Sequence, residues 1–281
     1  MAATILRRQD EAGAAVADQL ADFIPAAIPR AALVSGAKER LGKAIALALA
    51  EAGFAVALHC RRKDAVAEQA LDEIGAVAPK AALLDAELSD EPATSGLIQR
   101  AVQALGPLGV LVNNASAFGR DEWDTVTRQS WDLHLEANLR APFVLTQHFA
   151  RRLPDNAEGM VLNMIDERVW SLTPHFVSYT VSKAGLWALT QSLALALAPR
   201  IRVNAIGPGP ALPNSRQTAK QFAQQISRLP LRRGPTATEI ARAGIAFLAL
   251  PSVTGQMLAL DGGQHLNWYS RALSTQANDS E

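Results

Sequence analysis

Tyr179 and Lys183 are the residues whose types and spacing most directly suggest chemistry. They lie four positions apart in a segment that predicts a helix, and side chains at this spacing share one helix face. An ammonium close to a phenol stabilises the phenolate, so the phenol becomes a better proton donor at neutral pH. Asp166 precedes Tyr179 by thirteen residues and follows the apolar run Met160–Ile165, which predicts a strand. Because ligands bind at the carboxyl ends of strands in open α/β sheets, the three residues form a candidate proton-transfer site.

The loop after the first predicted strand has the composition of a phosphate-binding turn. It contains Gly36 and Gly42, and small residues of this kind let the backbone approach a pyrophosphate. The helix predicted from Gly42 presents its N-terminus to the anion. A third glycine is missing, and Arg40 occupies a position where one is expected. By itself the motif also fits an ordinary strand-to-helix turn, and it gains force from the alternating elements around it.

Two arginines, Arg61 and Arg62, follow the second predicted strand, where NAD enzymes usually carry an acid. That acid accepts from the ribose 2′-hydroxyl, and here no acid occurs before Asp64. Guanidinium groups bind a 2′-phosphate through charge-assisted hydrogen bonds, and we expect Lys38 and Arg40 to lie nearby in the fold. A solvated basic surface is the simpler alternative. Coming after the glycine loop, the pattern favours NADP(H).

Polar and small residues follow the fourth predicted strand, in the run Asn113-Asn114-Ala115-Ser116-Ala117-Phe118. Paired asparagines are common in plain turns, but small residues here also permit close approach of a flat ring. Asn138 lies inside the helix predicted over Ser130–Leu153, although asparagine is a poor helix former. We expect either a tolerated polar residue or a kink that holds water.

Short apolar runs alternate with helical stretches from residue 30 onward. The predicted strands are Ala31–Ser35, Ala55–His59, Ala81–Asp85, Val110–Asn113, Met160–Ile165, Ile201–Ile206 and Met257–Leu260. The predicted helices are Gly42–Ala52, Ala65–Val77, Pro92–Leu105, Ser130–Leu153, Tyr179–Ala198, Arg216–Arg228 and Thr238–Leu250. Such alternation predicts an α/β fold, a doubly wound parallel β-sheet with helices on both faces, in a single domain over residues 30–270.

The two ends of the chain are separate from this domain. Residues 1–29 are alanine-rich and lack the apolar core of a signal peptide. One helical face carries the apolar residues Val16, Leu20, Phe23 and Ile24. We therefore expect a mobile extension or a short amphipathic helix docked on the body. The polar residues 271–281 predict a mobile tail.

Composition argues against several classes of function. The 281 residues carry no net charge, which disfavours an electrostatic nucleic-acid surface. The single cysteine, Cys60, cannot form an internal disulfide, and with five scattered histidines it argues against structural zinc. We expect no metal and a reducing, cytoplasmic location. No apolar run reaches the roughly 20 residues of a membrane span.

Taken together, these motifs resemble the short-chain dehydrogenase/reductase family over about residues 30–266. The segments Val203–Gly209 and Leu260–Gly263 match later motifs of that family. The resemblance implies a Rossmann-like fold that binds NADP(H). The residues that it places in catalysis are Asn138, Asp166, Tyr179 and Lys183. Those that it places at the cofactor are Ser35, Gly36, Lys38, Arg40, Leu41, Gly42, His59, Arg61, Arg62, Glu87, Asn114, Ala115, Ser116, Tyr179, Lys183, Pro208 and Gly209.

Two departures narrow the resemblance to pteridine reductases and the related bacterial dihydromonapterin reductases. Asp166 stands where most of the family has serine, and Arg40 replaces a glycine of the turn. Glu87 also departs, because the family often has aspartate near the adenine at this place. In this subgroup, Phe118 is implied to stack on the pterin against the nicotinamide. The implied substrate contacts are Arg40, Ser116, Phe118, Asp166 and Tyr179.

The resemblance implies an NADPH-dependent reductase of a pterin-like C=N bond, in which Asn138 supports a proton-relay water. The resemblance also implies a homotetramer paired through its two longest helices. A reductase of ketones or 3-oxoacyl thioesters is the alternative enzyme. Ionised Asp166 would repel its developing oxyanion, whereas the same carboxylate can accept from the ring N–H groups of a pterin. A non-catalytic NADP-binding protein is disfavoured because it needs no proton donor such as Tyr179.

Overall fold

The computed structural model describes residues 20–213 and 217–266. Val16, the tail 271–281 and the start of the helix predicted from Arg216 lie outside the described residues. Seven parallel strands form in the described part of the chain, close to their predicted positions. They are β1 Ala31–Val34, β2 Ala55–Cys60, β3 Ala81–Asp85, β4 Val110–Asn113, β5 Gly159–Met164, β6 Ile201–Pro208 and β7 Met257–Leu260.

The strands form one sheet in the order β3-β2-β1-β4-β5-β6-β7. Strand β1 has β2 on one side and β4 on the other, so the direction of winding reverses between β1 and β4. In open parallel sheets, ligands bind at such a reversal, in the crevice outside the carboxyl ends of the strands. The loops after β1, β4 and β5 therefore meet at one crevice.

Helices cover both faces of the sheet. They are α1 Arg40–Glu51, α2 Ala65–Gly75, α3 Glu91–Leu105, α4 Arg128–Leu135, α5 Ala141–Arg152, α6 Val177–Leu197, α7 Ala219–Ser227 and α8 Ala237–Leu248. Buried apolar residues of α1, α2 and α8 pack on one face, and those of α3, α5 and α6 pack on the other. Alternate residues of β4 contribute to opposite layers, because side chains alternate along a strand. The predicted doubly wound α/β fold is confirmed.

The helix predicted over Ser130–Leu153 is not continuous, and this part of the prediction was wrong. The chain forms α4, then a π-helical turn over Glu136–Arg140, then α5. Asn138 lies in the middle of this turn, and its buried side chain bonds to neighbouring elements. Of the two expectations for Asn138, the structure favours the kink.

The chain before β1 packs on the body of the domain within the described residues. Ile24 and Ile28 are buried in the core layer that contains α1. Phe23, which the helical pattern placed on the same face as Ile24, is instead 69% exposed. The helix ends at Ala21 and turns follow it, so helical spacing no longer applies. No described helix is long and apolar enough to cross a membrane.

Candidate active site

The turn between β1 and α1 brings the backbone very close to the loop after β4. Gly36 has φ +65°, and a Cβ there would lie 2.9 Å from the Cα of Ala115. A Cβ on Gly42 would lie 2.1 Å from the carbonyl oxygen of Gly36, so packing requires both glycines. Arg40 has φ +56°, in the left-handed region that favours glycine. The backbone at Arg40 thus adopts a conformation that glycine favours, at the position of the missing third glycine.

Ser35 and Asn114 hold these two loops together. The Ser35 hydroxyl accepts hydrogen bonds from the backbone N–H groups of Asn114 and Ala115, at 2.9 and 3.0 Å. The Asn114 amide donates in return to the carbonyl oxygens of Ser35 and Gly36, at 2.8 and 3.0 Å. The floor of the crevice is consequently braced from both sides, and these polar groups are satisfied within the protein.

A cleft of about 710 Å³, the cofactor cleft, runs over this floor toward the ends of β2 and β3. The predicted cofactor residues that line it are Gly36, Lys38, Arg40, Leu41, Gly42, His59, Arg61, Arg62, Glu87, Asn114, Ala115 and Ser116. Ser35 lies buried beneath the cleft and does not line it. A glycine-walled floor at the start of α1 fits a phosphate-bearing dinucleotide.

His59 lines the cofactor cleft, but both nitrogens of its ring are committed to the backbone. Nδ1 accepts from the N–H of Gly36 at 3.2 Å, and Nε2 lies 3.0 Å from the carbonyl oxygen of Ala86. The proton therefore belongs on Nε2. Burial lowers the pKa of the imidazole, which keeps the ring neutral. His59, predicted as a cofactor contact, thus braces the glycine turn against the loop after β3.

The rim of the cofactor cleft is basic, and its ion pairs are exposed to solvent. The Lys38 ammonium lies 2.7 Å from the Asp64 carboxylate, and Arg61 lies 3.9 Å from Glu87. Glu87 also accepts from the backbone N–H and the hydroxyl of the serine two residues later. Arg62 is exposed on the same rim. Surface pairs of this kind are weak, so the rim can exchange them for an anionic ligand.

Arg40 lines the cofactor cleft together with Arg61 and Arg62, as expected, but its guanidinium is bonded to another part of the chain. Its guanidinium donates to the carbonyl oxygens of Leu212 and Pro213, at 3.4 and 3.0 Å. These carbonyls belong to the segment after β6, on the other side of the crevice. Arg40 consequently links the start of α1 to the segment after β6.

A second cleft of about 320 Å³, the substrate cleft, adjoins the first and shares the wall made by Arg40, Leu41, Asn114 and Ser116. The other predicted residues that line it are Phe118, Asp166, Tyr179, Lys183, Pro208 and Gly209. A Cβ on Gly209 would lie 2.7 Å from the Cα of Asp261, so this wall is tightly packed. Within the described residues, no group of three or more His, Cys, Asp or Glu could hold a metal.

The predicted proton-transfer residues meet in the substrate cleft. The Tyr179 hydroxyl donates a hydrogen bond to Oδ2 of Asp166, at 2.9 Å. The other oxygen of Asp166 accepts from the backbone N–H of Arg168. Lys183 lies one turn further along α6 and donates to the carbonyl oxygen of Met164 at 2.8 Å. Its ammonium lies 5.8 Å from the centre of the Tyr179 ring.

The electrostatics of this cluster differ from the expectation that Lys183 acidifies Tyr179. Burial and the Asp166 carboxylate raise the pKa of the phenol well above its usual range. Burial also lowers the pKa of the Lys183 ammonium to about 8, although Asp166 opposes this shift. The pKa of Tyr179 shifts upward, not downward, because burial is the largest cause and because the carboxylate, not the ammonium, contacts the hydroxyl. The phenol is protonated at physiological pH, as a proton donor must be before it reacts.

Phe118 forms an aromatic wall beside the Tyr179 ring. Its ring stacks on Phe176, with centroids 4.9 Å apart, and meets Tyr179 edge-on at 4.8 Å. The Arg168 guanidinium lies 4.7 Å from the centre of the Phe176 ring. Phe176 itself has φ +61°, a strained conformation for a residue other than glycine. Phe118 is 41% exposed, so part of the ring still faces the cleft.

Asn138 lines neither cleft, and its side chain joins the loop after β4 to α6 behind them. Its Oδ1 atom accepts from the N–H of Ala117 at 2.7 Å and from the Ser116 hydroxyl at 3.2 Å. Its Nδ2 atom donates to the carbonyl of Ala117 at 2.9 Å and to the Ser182 hydroxyl at 3.0 Å. These four bonds use the amide fully, so its side chain has no capacity left for the predicted relay water. These bonds hold the loop that carries Phe118 against α6.

A buried chain of hydrogen bonds behind Tyr179 was not predicted from the sequence. His134 lies 2.6 Å from the hydroxyl of Ser178, and that hydroxyl donates to Asp121. Nε2 of His134 accepts from the N–H of Gly119 at 2.9 Å, so Nδ1 carries the proton. Burial lowers the pKa of His134, which keeps the ring neutral. No local signal marks this chain, because its members are distant in sequence and have the types of ordinary loop and helix residues.

The family model for short chain dehydrogenases matches residues 30–224. The chain therefore belongs to the short-chain dehydrogenase family, and the protein is an oxidoreductase of that family. The resemblance inferred from the motifs is confirmed.

Comparison with individual proteins separates two groups of relatives. The structure is similar to that of FolM alternative dihydrofolate reductase 1 from Brucella canis complexed with NADP. The two sequences are 43% identical, the match covers 87% of this chain and 97% of that chain, and the TM-score is 0.81. The FolM structure from Brucella suis, also with NADP, shows 46% identity over 84% of this chain and 95% of that chain, with a TM-score of 0.81. The sequence is also 31% identical over 243 residues to the 3-oxoacyl-[acyl-carrier-protein] reductase FabG of Staphylococcus aureus, covering 84% of this chain and 98% of that protein.

Proposed function

We propose that this protein is an NADPH-dependent reductase that delivers hydride to a C=N bond of a pterin-like substrate. The hydrogen bond between Tyr179 and Asp166 in the substrate cleft is the observation that carries the proposal. The two FolM structures support it, because both are named alternative dihydrofolate reductases and both are NADP complexes.

The arrangement divides the reaction between the two clefts. NADPH, when bound in the cofactor cleft, supplies the hydride that reaches the substrate carbon. Tyr179 holds the proton that the substrate nitrogen receives, and its hydroxyl donates to Asp166 until it turns to the substrate. Asp166 can also accept from ring N–H groups of the substrate. Lys183 holds a positive charge near the phenol, and this charge stabilises the phenolate left after proton transfer.

The preference for NADPH over NADH rests on the rim of the cofactor cleft. Lys38, Arg61 and Arg62 surround the end of β2, and each is a cation that a 2′-phosphate can approach. Asp64 and Glu87 are present on the same rim, but their contacts with Lys38 and Arg61 are exposed. A phosphate can therefore compete for both cations at small cost.

Reduction of a ketone or a 3-oxoacyl thioester is the second candidate, and the FabG relatives support it. The two reactions make opposite demands on Asp166. Carbonyl reduction places negative charge on an oxygen beside Tyr179, where an ionised carboxylate opposes it. Reduction of a C=N bond places the proton on nitrogen, and a neighbouring carboxylate can accept from the N–H groups of the ring. We therefore rank the pterin first.

NADPH oxidation against matched substrates tests this choice. The panel contains a dihydropterin, dihydrofolate, a quinonoid dihydropterin, an aryl ketone and a 3-oxoacyl thioester. We expect kcat/KM to be highest for one of the pterins. Faster turnover of the ketone or the thioester than of every pterin would instead favour the second candidate.

Homotetramer assembly in a reducing, cytoplasmic location remains our proposal from sequence. Val181 and Leu195 on α6 are 42% and 85% exposed, and apolar side chains exposed along one helix fit an interaction surface. Pairing of α6 and α5 with the same helices of other subunits would cover it. Light scattering at micromolar concentration should give the mass of a tetramer, and a purely monomeric mass contradicts the proposal.

A further inference from the structure

Glu167 lines the substrate cleft although it is only 4% exposed. It follows Asp166 directly and begins the short helical turn after β5. Its Oε2 atom is buried and has no hydrogen-bond partner among the described residues. A buried polar atom without a partner costs folding free energy, so its presence in a cleft points to a ligand that completes it.

Gln264 supplies a second oxygen of this kind from another part of the fold. Its Oε1 atom is buried and unpartnered within the described ranges, and the residue lines the same cleft. Gln217 and Gln225 line this cleft too, but they bond to each other at 2.7 Å. Nε of Arg168, which lines the same cleft, is also buried without a partner, but it is a donor. Among the described residues that line the cleft, the unpartnered buried oxygens are thus those of Glu167 and Gln264, from the loops after β5 and β7.

The surroundings of Glu167 favour the neutral carboxyl. Burial and the carboxylates of Asp166 and Asp261 raise the pKa of Glu167 to about 8, while Arg168 opposes the shift. At neutral pH the side chain therefore offers one O–H donor and one acceptor oxygen. This donor and this acceptor lie side by side on one carboxyl group, and they match a ring edge that carries N–H next to C=O.

We propose that Glu167 contacts the substrate and selects planar heterocycles that carry an amide-like N–H and C=O edge. The carboxyl of Glu167 pairs with that edge through two hydrogen bonds, and Gln264 Oε1 accepts from a further N–H of the same ring system. The inference rests on the proposed function, because a pterin carries such an edge and a simple ketone does not.

Two substitutions of Glu167 separate contact with the substrate from support of the fold. Glu167→Gln keeps a donor and an acceptor in nearly the same shape, whereas Glu167→Leu removes both. We expect Glu167→Leu to raise KM for a dihydropterin about tenfold or more, with kcat changed less than about threefold, because two hydrogen bonds are lost. Glu167→Gln should keep KM within about threefold of the parent value. The dissociation constant of NADPH should not change in either variant.

The melting temperature tests independently whether the Glu167 carboxyl supports the fold. Glu167→Leu replaces an unpartnered polar atom by apolar ones, so we expect the ligand-free protein to melt about 2–4 °C higher. A merely structural carboxyl would show the opposite, a lower melting temperature with an unchanged KM.

The possible outcomes distinguish this inference from the proposed function. If the parent protein reduces dihydropterins and Glu167→Leu keeps the parent KM, Glu167 is not a substrate contact and the proposed function stands. If Glu167→Gln raises KM for the dihydropterin as much as Glu167→Leu does, the carboxyl does not bind as a donor and acceptor, and the inference is overturned. If the parent protein reduces ketones and no pterin, the proposed function fails and this inference fails with it.

Discussion

The cofactor cleft and the substrate cleft share a wall, yet they treat their polar groups in opposite ways. On the cofactor side, Ser35, Asn114 and His59 spend their hydrogen bonds on the backbone of the turn. On the substrate side, Glu167 and Gln264 keep buried oxygens without partners among the described residues. The cofactor cleft is therefore suited to its ligand by its shape. The substrate cleft is suited to its ligand by oxygens that still lack a hydrogen-bond donor in the described part of the chain.

This difference predicts which property a substitution changes. On the cofactor side, close backbone contacts carry the geometry, so substitutions there should cost stability together with cofactor binding. On the substrate side, strained and unpartnered groups are retained at a cost in stability. Substitutions there should change catalysis strongly while stability stays level or rises.

Tyr179→Phe should produce the largest effect on the substrate side. Only the hydroxyl that donates to Asp166 is removed, and the ring that packs against Phe118 remains. We expect kcat to fall about 10²–10⁴-fold, the usual cost of losing a general acid, with the Kd for NADPH nearly unchanged. Steady-state kinetics and fluorescence titration measure the two quantities. Retention of more than a tenth of the parental rate would show that Tyr179 is not the donor.

Gly42→Ala should produce the largest effect on the cofactor side. The added Cβ meets the carbonyl oxygen of Gly36 at 2.1 Å, so the turn must move. We expect a loss of about 2–4 kcal/mol in the free energy of unfolding, together with weaker NADPH binding. Gly96→Ala is the matched control, because a Cβ there has no neighbour within 4 Å and should be neutral or stabilising. Equal urea midpoints for the two variants would contradict the packing argument.

Replacement of Arg61 and Arg62 by alanine should shift the choice of cofactor. Loss of a charge-assisted contact to a 2′-phosphate costs about 1.5–3 kcal/mol, so the ratio of kcat/KM for NADPH to that for NADH should fall about 10–100-fold. Arg128→Ala is the control, because Arg128 pairs with Asp132 on the surface of α4. A parental ratio near one would remove the basis for NADPH preference.

The pH dependence of stability should reveal the buried carboxyl of Glu167. Its pKa is raised from 4.5 to about 8 in the folded protein, so between these values the folded state binds more protons than the unfolded state. The Glu167 contribution therefore makes the free energy of unfolding fall as pH rises from 4.5 to 8. Glu167→Gln cannot ionise and should lack this component. Urea unfolding of both proteins at pH 5 and pH 8 measures the difference, and parallel behaviour would place an ionised carboxylate at this position.

Sequence patterns were sufficient for the sheet, because each βα unit carries a continuous apolar strand between amphipathic stretches. They also marked Arg40 and Asn138 as unusual, since each residue type conflicts with its local backbone. The patterns failed where tertiary contacts decide the outcome. Glu167 belongs to the charged run Asp-Glu-Arg and resembles a surface residue, but the loop after β5 folds it inward. The raised pKa of Tyr179 was also missed, because i+4 spacing reveals neither the burial of the phenol nor the contact with Asp166.

The central claim is that the Asp166 carboxylate beside Tyr179 suits a pterin and opposes a ketone. Asp166→Ser tests it directly when kcat/KM is measured for a dihydropterin and for an aryl ketone in the same preparation. We predict a fall of about tenfold or more for the dihydropterin, the cost of at least one charge-assisted hydrogen bond, with equal or faster reduction of the ketone. An unchanged value for the dihydropterin, or a parallel fall for both substrates, would contradict the account.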